Sequence, residues 1–263
     1  MRIFKLISIA DVFTLCNAVM GFLALACATR GLVTESIMCI MVGILFDGLD
    51  GVIARRFAKK WNLGDYLDIM CDTTSFCVAP SVLIFTIYWN KDWTFTSGYI
   101  PSEIGVNLSQ IILLIACGTI VVTGVLRLAR FCYQSGGGSN IFIGLATPGS
   151  ALILVLLCAV SFPGWTEDYN PGTMPGYVVV PTMFLLSYLM ISDIRYPKMR
   201  GKFGLVAGIL VVVVISMLAF PSRNLAIITA LCIGFGYIIG GPILLRMDTK
   251  REIEVPAVDG VMK

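Results

Sequence analysis

Apolar stretches of about twenty residues recur along the whole chain, and that is the length a helix needs to cross a bilayer. Eight are read, at residues 12–29, 36–54, 67–89, 110–128, 141–162, 177–191, 203–220 and 225–245. The sixth is short and carries Pro181. Hydrophobic residues make up 57% and charged residues 13% of 263 positions, whereas a soluble domain carries about 25% charge. The expectation is an all-α integral membrane protein with about eight transmembrane helices. Residues 1–11 then form a short interfacial segment, 12–246 the polytopic domain and 247–263 a cytoplasmic tail. No cleaved leader is expected at the N-terminus, which lacks a small-residue cleavage site.

Basic residues give the orientation. With the N-terminus in the cytoplasm, 16 of the 19 Lys and Arg fall on the cytoplasmic side, and only Arg30, Lys91 and Arg223 fall outside. That asymmetry follows the positive-inside rule and favours an even number of spans, so both termini are expected in the cytoplasm of a multi-pass cell-membrane protein. Segments 90–109 and 163–176, rich in Trp, Tyr, Pro and Gly, read as outside loops. Segment 131–140, with Gly136, Gly137 and Gly138, reads as a flexible cytoplasmic loop.

Into this apolar background the chain sets Asp47, Asp50, Asp68 and Asp72, at spacings of three, eighteen and four residues. Asp47 directly follows an apolar run, where an ionised side chain is costly and marks function by default. Spacings of three and four put each pair on one helical face. Two adjacent helices would aim all four acids at one point, where they repel unless cations neutralise them. Oxygen-only ligation favours a hard ion, Mg²⁺ or Mn²⁺. The acids lie at the cytoplasmic end of their spans.

Other residue types narrow the chemistry. The nine cysteines form no C-x-x-C pair and most sit within spans, where Cys behaves as a small hydrophobe. Histidine is absent, so proton transfer falls to Asp, Glu, Lys, Tyr or Cys, and histidine triads are excluded. No nucleic-acid partner is expected.

The pattern D-x-x-D-G-x-x-A-R-x8-G-x3-D-x3-D is complete at Asp47, Asp50, Gly51, Ala54, Arg55, Gly64, Asp68 and Asp72, and it resembles the signature of the CDP-alcohol phosphotransferase family. The resemblance implies a membrane enzyme that moves a phosphatidyl-type group from a CDP-linked lipid to an alcohol and releases CMP. It implies that the four acids hold one or two divalent metals, that Asp72 is also the base, and that the enzyme is a homodimer. The residues suit these tasks. Gly51 and Ala54 keep the helix wall low for a nucleotide, and Arg55 offers a fork of donors to pyrophosphate oxygens. Gly64 permits close packing at the start of the next helix. Asp65, outside the signature, reads as a helix-start residue.

Three further stretches are similar to the phosphatidylserine synthase branch of the family. These are Thr14, Asn17 and Gly21 in a T-x-x-N-x-x-x-G pattern; Arg127-Leu128-Ala129-Arg130-Phe131 with Phe142 to Pro148; and Tyr196-Pro197. Cys132 stands where Asn is usual there, and Ala146 where Pro is usual. The expected acceptor is L-serine and the expected donor CDP-diacylglycerol or CDP-archaeol. Arg127 and Arg130 are candidate acceptor-binding residues, with snorkelling to the interface as the other reading. Thr14 and Asn17 are candidates for binding the CDP-lipid, or else for a helix–helix hydrogen bond. Alternatives are the same chemistry on glycerol 3-phosphate, inositol phosphate or a diacylglycerol acceptor, and an ion-coupled transporter.

Overall fold

The computed structural model describes residues 8–57, 63–89, 107–134, 141–160, 174–197, 202–217 and 223–254. The sequence-read loop 90–109 lies outside them except for its last residues, as do positions 135–140 and most of 163–176. The described chain is almost entirely helical: α1 (Ile9–Thr29), α2 (Val33–Phe57), α3 (Leu63–Asp72), a π-helical turn (Thr73–Val78), α4 (Ala79–Tyr88), α5 (Leu108–Gln134), α6 (Thr147–Ala159), α7 (Gly176–Ile191), α8 (Lys202–Met217) and α9 (Arg223–Glu254).

Helix α1 begins at Ile9 and so takes in the end of the segment read as an interfacial lead. The cause is a capping box: Asp11 N donates to Ser8 Oγ and Ser8 N to Asp11 Oδ2, at 3.3 and 2.7 Å. The helix turns back at Arg30–Gly31, where Gly31 adopts φ +74°. It then packs along α2 near the small buried residues Ala24 and Ala28, which let two backbones approach closely. Ser36 Oγ donates to Ala24 O across this contact at 2.8 Å.

Helices α3 and α4 are one rod interrupted by the π turn. Pro80 lies in the first turn of α4, has no N–H to donate, and its ring would clash with the carbonyl four residues back. Widening the helix just before it relieves both problems. The Ala79 N–H accordingly bonds Thr74 O, five residues back.

The fifth sequence-read span is corrected. Residues 141–162 were expected as one helix, but α6 occupies only Thr147–Ala159. Ile141–Ile143 is instead a short strand, β1, paired antiparallel with β2 (Arg195–Pro197), Phe142 opposite Tyr196. Gly144 at φ +80° turns the chain, and a Cβ there would collide with Met190 O. Pro148 then starts the helix where its missing N–H does no harm. At the other end of the chain the backbone stays helical to Glu254, beyond the expected tail boundary at 247.

The core is built around α6, on which Ala151 and Ile153 through Ala159 are all buried. Ile37, Ile40 and Met41 of α2, Leu83 and Ile84 of α4, Leu113 and Ile120 of α5, and Val179, Met183 and Leu186 of α7 belong to the same cluster. Outward faces are apolar, with Val12, Val19 and Phe22 of α1 and Val122 and Leu126 of α5 exposed; a surface of that kind suits lipid rather than water. Five helices are long and apolar enough to cross a membrane: Ile9–Thr29, Val33–Ile53, Tyr66–Tyr88, Leu108–Tyr133 and Asn224–Ile243. Helices α6 and α7 are apolar but shorter. The protein is therefore a polytopic membrane protein of the all-α class.

Candidate metal and nucleotide site

Helices α2 and α3 carry the acids, and three of the four expected to meet are brought together. Ligand oxygens of Asp47, Asp50 and Asp68 all lie within 4.8 Å of one another. Asp50 is buried and the other two half-buried. Ligand oxygens around one Mg²⁺ lie up to about 4 Å apart, so small side-chain rotations would bring the three onto a single hard cation. A set of carboxylate oxygens, without nitrogen or sulfur, fits an ion of that class. Asp72, on the next turn of α3 and 5% exposed, lies outside this group of three.

The quartet is held from α1. Thr14 Oγ1 donates to Asp50 Oδ2 at 2.8 Å, and Asn17 Nδ2 donates to Asp72 Oδ1 at 3.1 Å. Both residues are buried and lie three apart, on one face of α1. Thr14 and Asn17 thus make helix–helix hydrogen bonds, and their partners are the acids themselves.

Glycines let this happen. A Cβ on Gly64 would lie 2.8 Å from Asp11 Oδ1, and one on Gly43 would lie 2.9 Å from Asn17 Oδ1. A Cβ on Gly21 would strike Ser75 Oγ. Close packing at Gly64, expected from sequence, is thus present against the α1 cap. Gly51 follows Asp50 on α2 and is half-buried. Ala54 and Arg55 lie on the helical backbone of α2, and their side chains, like that of Asp65, fall outside the described residues.

Arg127 of α5 lies near the acids. It is 7% exposed, lies within electrostatic reach of Asp47 and Asp72, and donates to Thr147 Oγ1 at 3.2 Å. Its guanidinium also sits over the Phe131 ring, 5.6 Å from the centroid. A buried charge survives only with partners, and the acids supply them. Arg130, one turn on, behaves differently. It forms an ion pair with Asp193 at 2.5 Å and donates to Ile191 O, tying α5 to the end of α7.

Sequence reasoning missed several supports. Asp11 was not read as a capping residue, although Ser8-x-x-Asp11 is the spacing of a capping box. Ser75 bonds Asn17 O at 2.9 Å; it lies three residues after Asp72, which was its available signal. Gly43 carries no signal in one sequence.

The chain is similar in sequence to known proteins over most of its length. The chain is 33% identical over 198 residues to a CDP-diacylglycerol–serine O-phosphatidyltransferase of Methanocaldococcus jannaschii, covering 75% of this chain and 78% of that protein. It is 29% identical over 202 residues to an archaetidylserine synthase of Methanothermobacter thermautotrophicus, covering 76% and 74%. A CDP-diacylglycerol–serine O-phosphatidyltransferase of Helicobacter pylori is 28% identical over 233 residues, 87% of this chain and 89% of the relative. The sequence model of one family, described as CDP-alcohol phosphatidyltransferase, matches residues 7–165, a stretch that holds all four acids, the α1 donors and Arg127. By that match, and by the acid quartet it contains, the chain belongs to the CDP-alcohol phosphatidyltransferase family.

Proposed function

We propose that the enzyme transfers the phosphatidyl or archaetidyl group of a CDP-linked lipid to the hydroxyl of L-serine and releases CMP. The observation that carries this reading is the buried acid quartet braced by Thr14 and Asn17, in a chain whose relatives are serine transferases. The relative that makes archaetidylserine keeps CDP-archaeol beside CDP-diacylglycerol as donor.

Each residue then has a task. Asp72 takes the proton from the serine hydroxyl. The oxygen forms a bond to the lipid-bearing phosphorus, the bond from that phosphorus to the CMP oxygen breaks, and CMP leaves with the electron pair. Asp47, Asp50 and Asp68, with Asp72 as a shared ligand, would hold Mg²⁺ or Mn²⁺. Such an ion, when bound, neutralises pyrophosphate charge and aligns nucleophile and leaving group. Gly51 and Ala54 leave room for the nucleotide against α2, and Arg55 pairs with its phosphate oxygens. Thr14 and Asn17 serve the CDP-lipid indirectly, by orienting Asp50 and Asp72. Arg127 balances the acids and receives the serine carboxylate. Arg130, paired with Asp193, stands one turn further out.

The membrane arrangement belongs to the same proposal. Helices α6, α7 and α8 join the five longer ones as short spans, giving eight in a single domain over 12–246, with 1–11 leading in and 247–263 as a tail. The excess of basic residues supports a cytoplasmic position for both termini and the acid site, and the working unit is a homodimer. The deciding experiment supplies purified protein and a divalent cation with CDP-diacylglycerol or CDP-archaeol. Labelled serine, glycerol 3-phosphate or inositol phosphate is then offered in turn. Serine-dependent CMP release is expected; release with another alcohol and none with serine overturns the reading.

A further inference from the structure

Asn17 is fully buried at the centre of a small polar knot between three helices. Its Nδ2 donates to Asp72 Oδ1 at 3.1 Å, and its own backbone carbonyl accepts from Ser75 Oγ at 2.9 Å. Its Oδ1 is buried without a hydrogen-bond partner and faces the bare Cα of Gly43. Turning the amide over would set that oxygen against the Asp72 carboxylate, acceptor against acceptor, so the orientation is determined. Ser75 fits only because Gly21 lacks a side chain. The Asn17 bond occupies one carboxylate oxygen of Asp72; the other, Oδ2, carries no hydrogen bond among the described residues.

We infer that Asn17 is a positioning residue for Asp72, and that Ser75, Gly43 and Gly21 exist in this arrangement to hold Asn17 in turn. The amide fixes the plane of the carboxylate, so that Oδ2 is the oxygen presented to the incoming hydroxyl. A neutral donor suits the task, since a carboxylate at position 17 would add a fifth acid to four that already repel one another. A charged donor there would compete with the cation that the acids attract. The α1 donors thereby divide the quartet: Thr14 orients a metal-ligand candidate and Asn17 orients the base. The inference rests on the reading of Asp72 as the base.

The test compares Asn17→Ala, Asp72→Asn and the double variant, as full chains in lipid nanodiscs with CDP-diacylglycerol, serine and Mn²⁺. Rates are expressed per CMP-binding site, so loss of folded protein does not count as loss of turnover. For Asn17→Ala, kcat is expected to fall by roughly 10- to 100-fold, the scale of a misplaced catalytic group. Both KM values and the CMP affinity should stay within about twofold, because the contact removed acts in the transition state. In the double variant, losing Asn17 should add nothing to the loss from Asp72→Asn, because the two act as one unit. Should Asn17→Ala bind no CMP, Asn17→Ser, smaller but still polar, takes its place under the same criteria. A raised KM for the CDP-lipid with normal kcat would make Asn17 a nucleotide contact and overturn the inference. So would additive losses, or a normal kcat. If Asp72→Asn itself turns over normally, the base assignment fails first; if only Asn17→Ala does, that assignment stands.

Discussion

The first five helices and the last four solve different problems. Among the described residues every buried charge, namely Asp11, Asp50, Asp72 and Arg127, lies on α1 to α5. Among the described residues, the buried polar ones of α6 to α9 are Thr147, Ser150 and Ser187. In lipid, apolar helices associate by packing alone, whereas a buried charge needs a specific partner at a specific distance. The N-terminal region therefore tolerates little displacement, and Gly21, Gly43 and Gly64 mark where its packing leaves no room for a side chain. The C-terminal region supplies a wall against which that arrangement is pressed, with α6 as the shared centre.

Mutations can break this contrast, beginning with the acids. Asp72→Asn should lower kcat by about 10²–10⁴-fold, the usual contribution of a general base, with CMP binding retained in a calorimetric titration. Removing divalent cations with a chelator should stop CMP release, and adding Mg²⁺ or Mn²⁺ should restore it. Asp47→Asn and Asp68→Asn should move the restoring concentration upward by more than tenfold, in keeping with the loss of a carboxylate ligand.

A subtler test uses the two α5 arginines. Arg127→Ala leaves buried acids facing one another and should cost about 3–5 kcal/mol of stability, seen as a lowered melting temperature, together with a raised KM for serine. Arg130→Ala removes a partly exposed ion pair with Asp193 and should cost less than about 1 kcal/mol. Equal effects would erase the distinction between a site residue and a rim residue. The smallest contrast compares glycines. Gly43→Ala should slow turnover measurably through Asn17, while Gly149→Ala, which meets nothing within 4 Å on α6, should leave the rate unchanged and shift stability by no more than about 0.5 kcal/mol.

Much of the N-terminal region was legible because its chemistry is written in spacing. Four acids at helical intervals, in an apolar setting that makes each one expensive, leave few arrangements open. The partners of those acids were less accessible. Thr14 and Asn17 stood out in the first span, but only packing decides whether their donors face a ligand or an aspartate 36 or 55 residues away. Arg127 and Arg130 looked equivalent, three apart on one helix. What separates them is Asp193, which belongs to a turn that hydropathy does not describe. The start of α6 failed for a related reason: residues 141–146 are apolar enough for a span, yet their backbone groups pair with Ile194, Arg195 and Tyr196 instead.

The π turn at Thr73–Val78 has a consequence for how such chains diverge. Each residue of an α-helix advances the side-chain direction by about 100°. The π turn takes up one residue more than an α-helical turn would, and so sets the phase between the acid-bearing α3 and the core-bearing α4. A descendant in which this turn relaxed to a regular α-helix, with no residue deleted, would keep all four aspartates, in order and with their signature intact. Once α4 locked Leu83 and Ile84 into the core, however, Asp68 and Asp72 would swing about a quarter-turn from Asp47 and Asp50. Such a protein would still read as an enzyme and would have lost its active site.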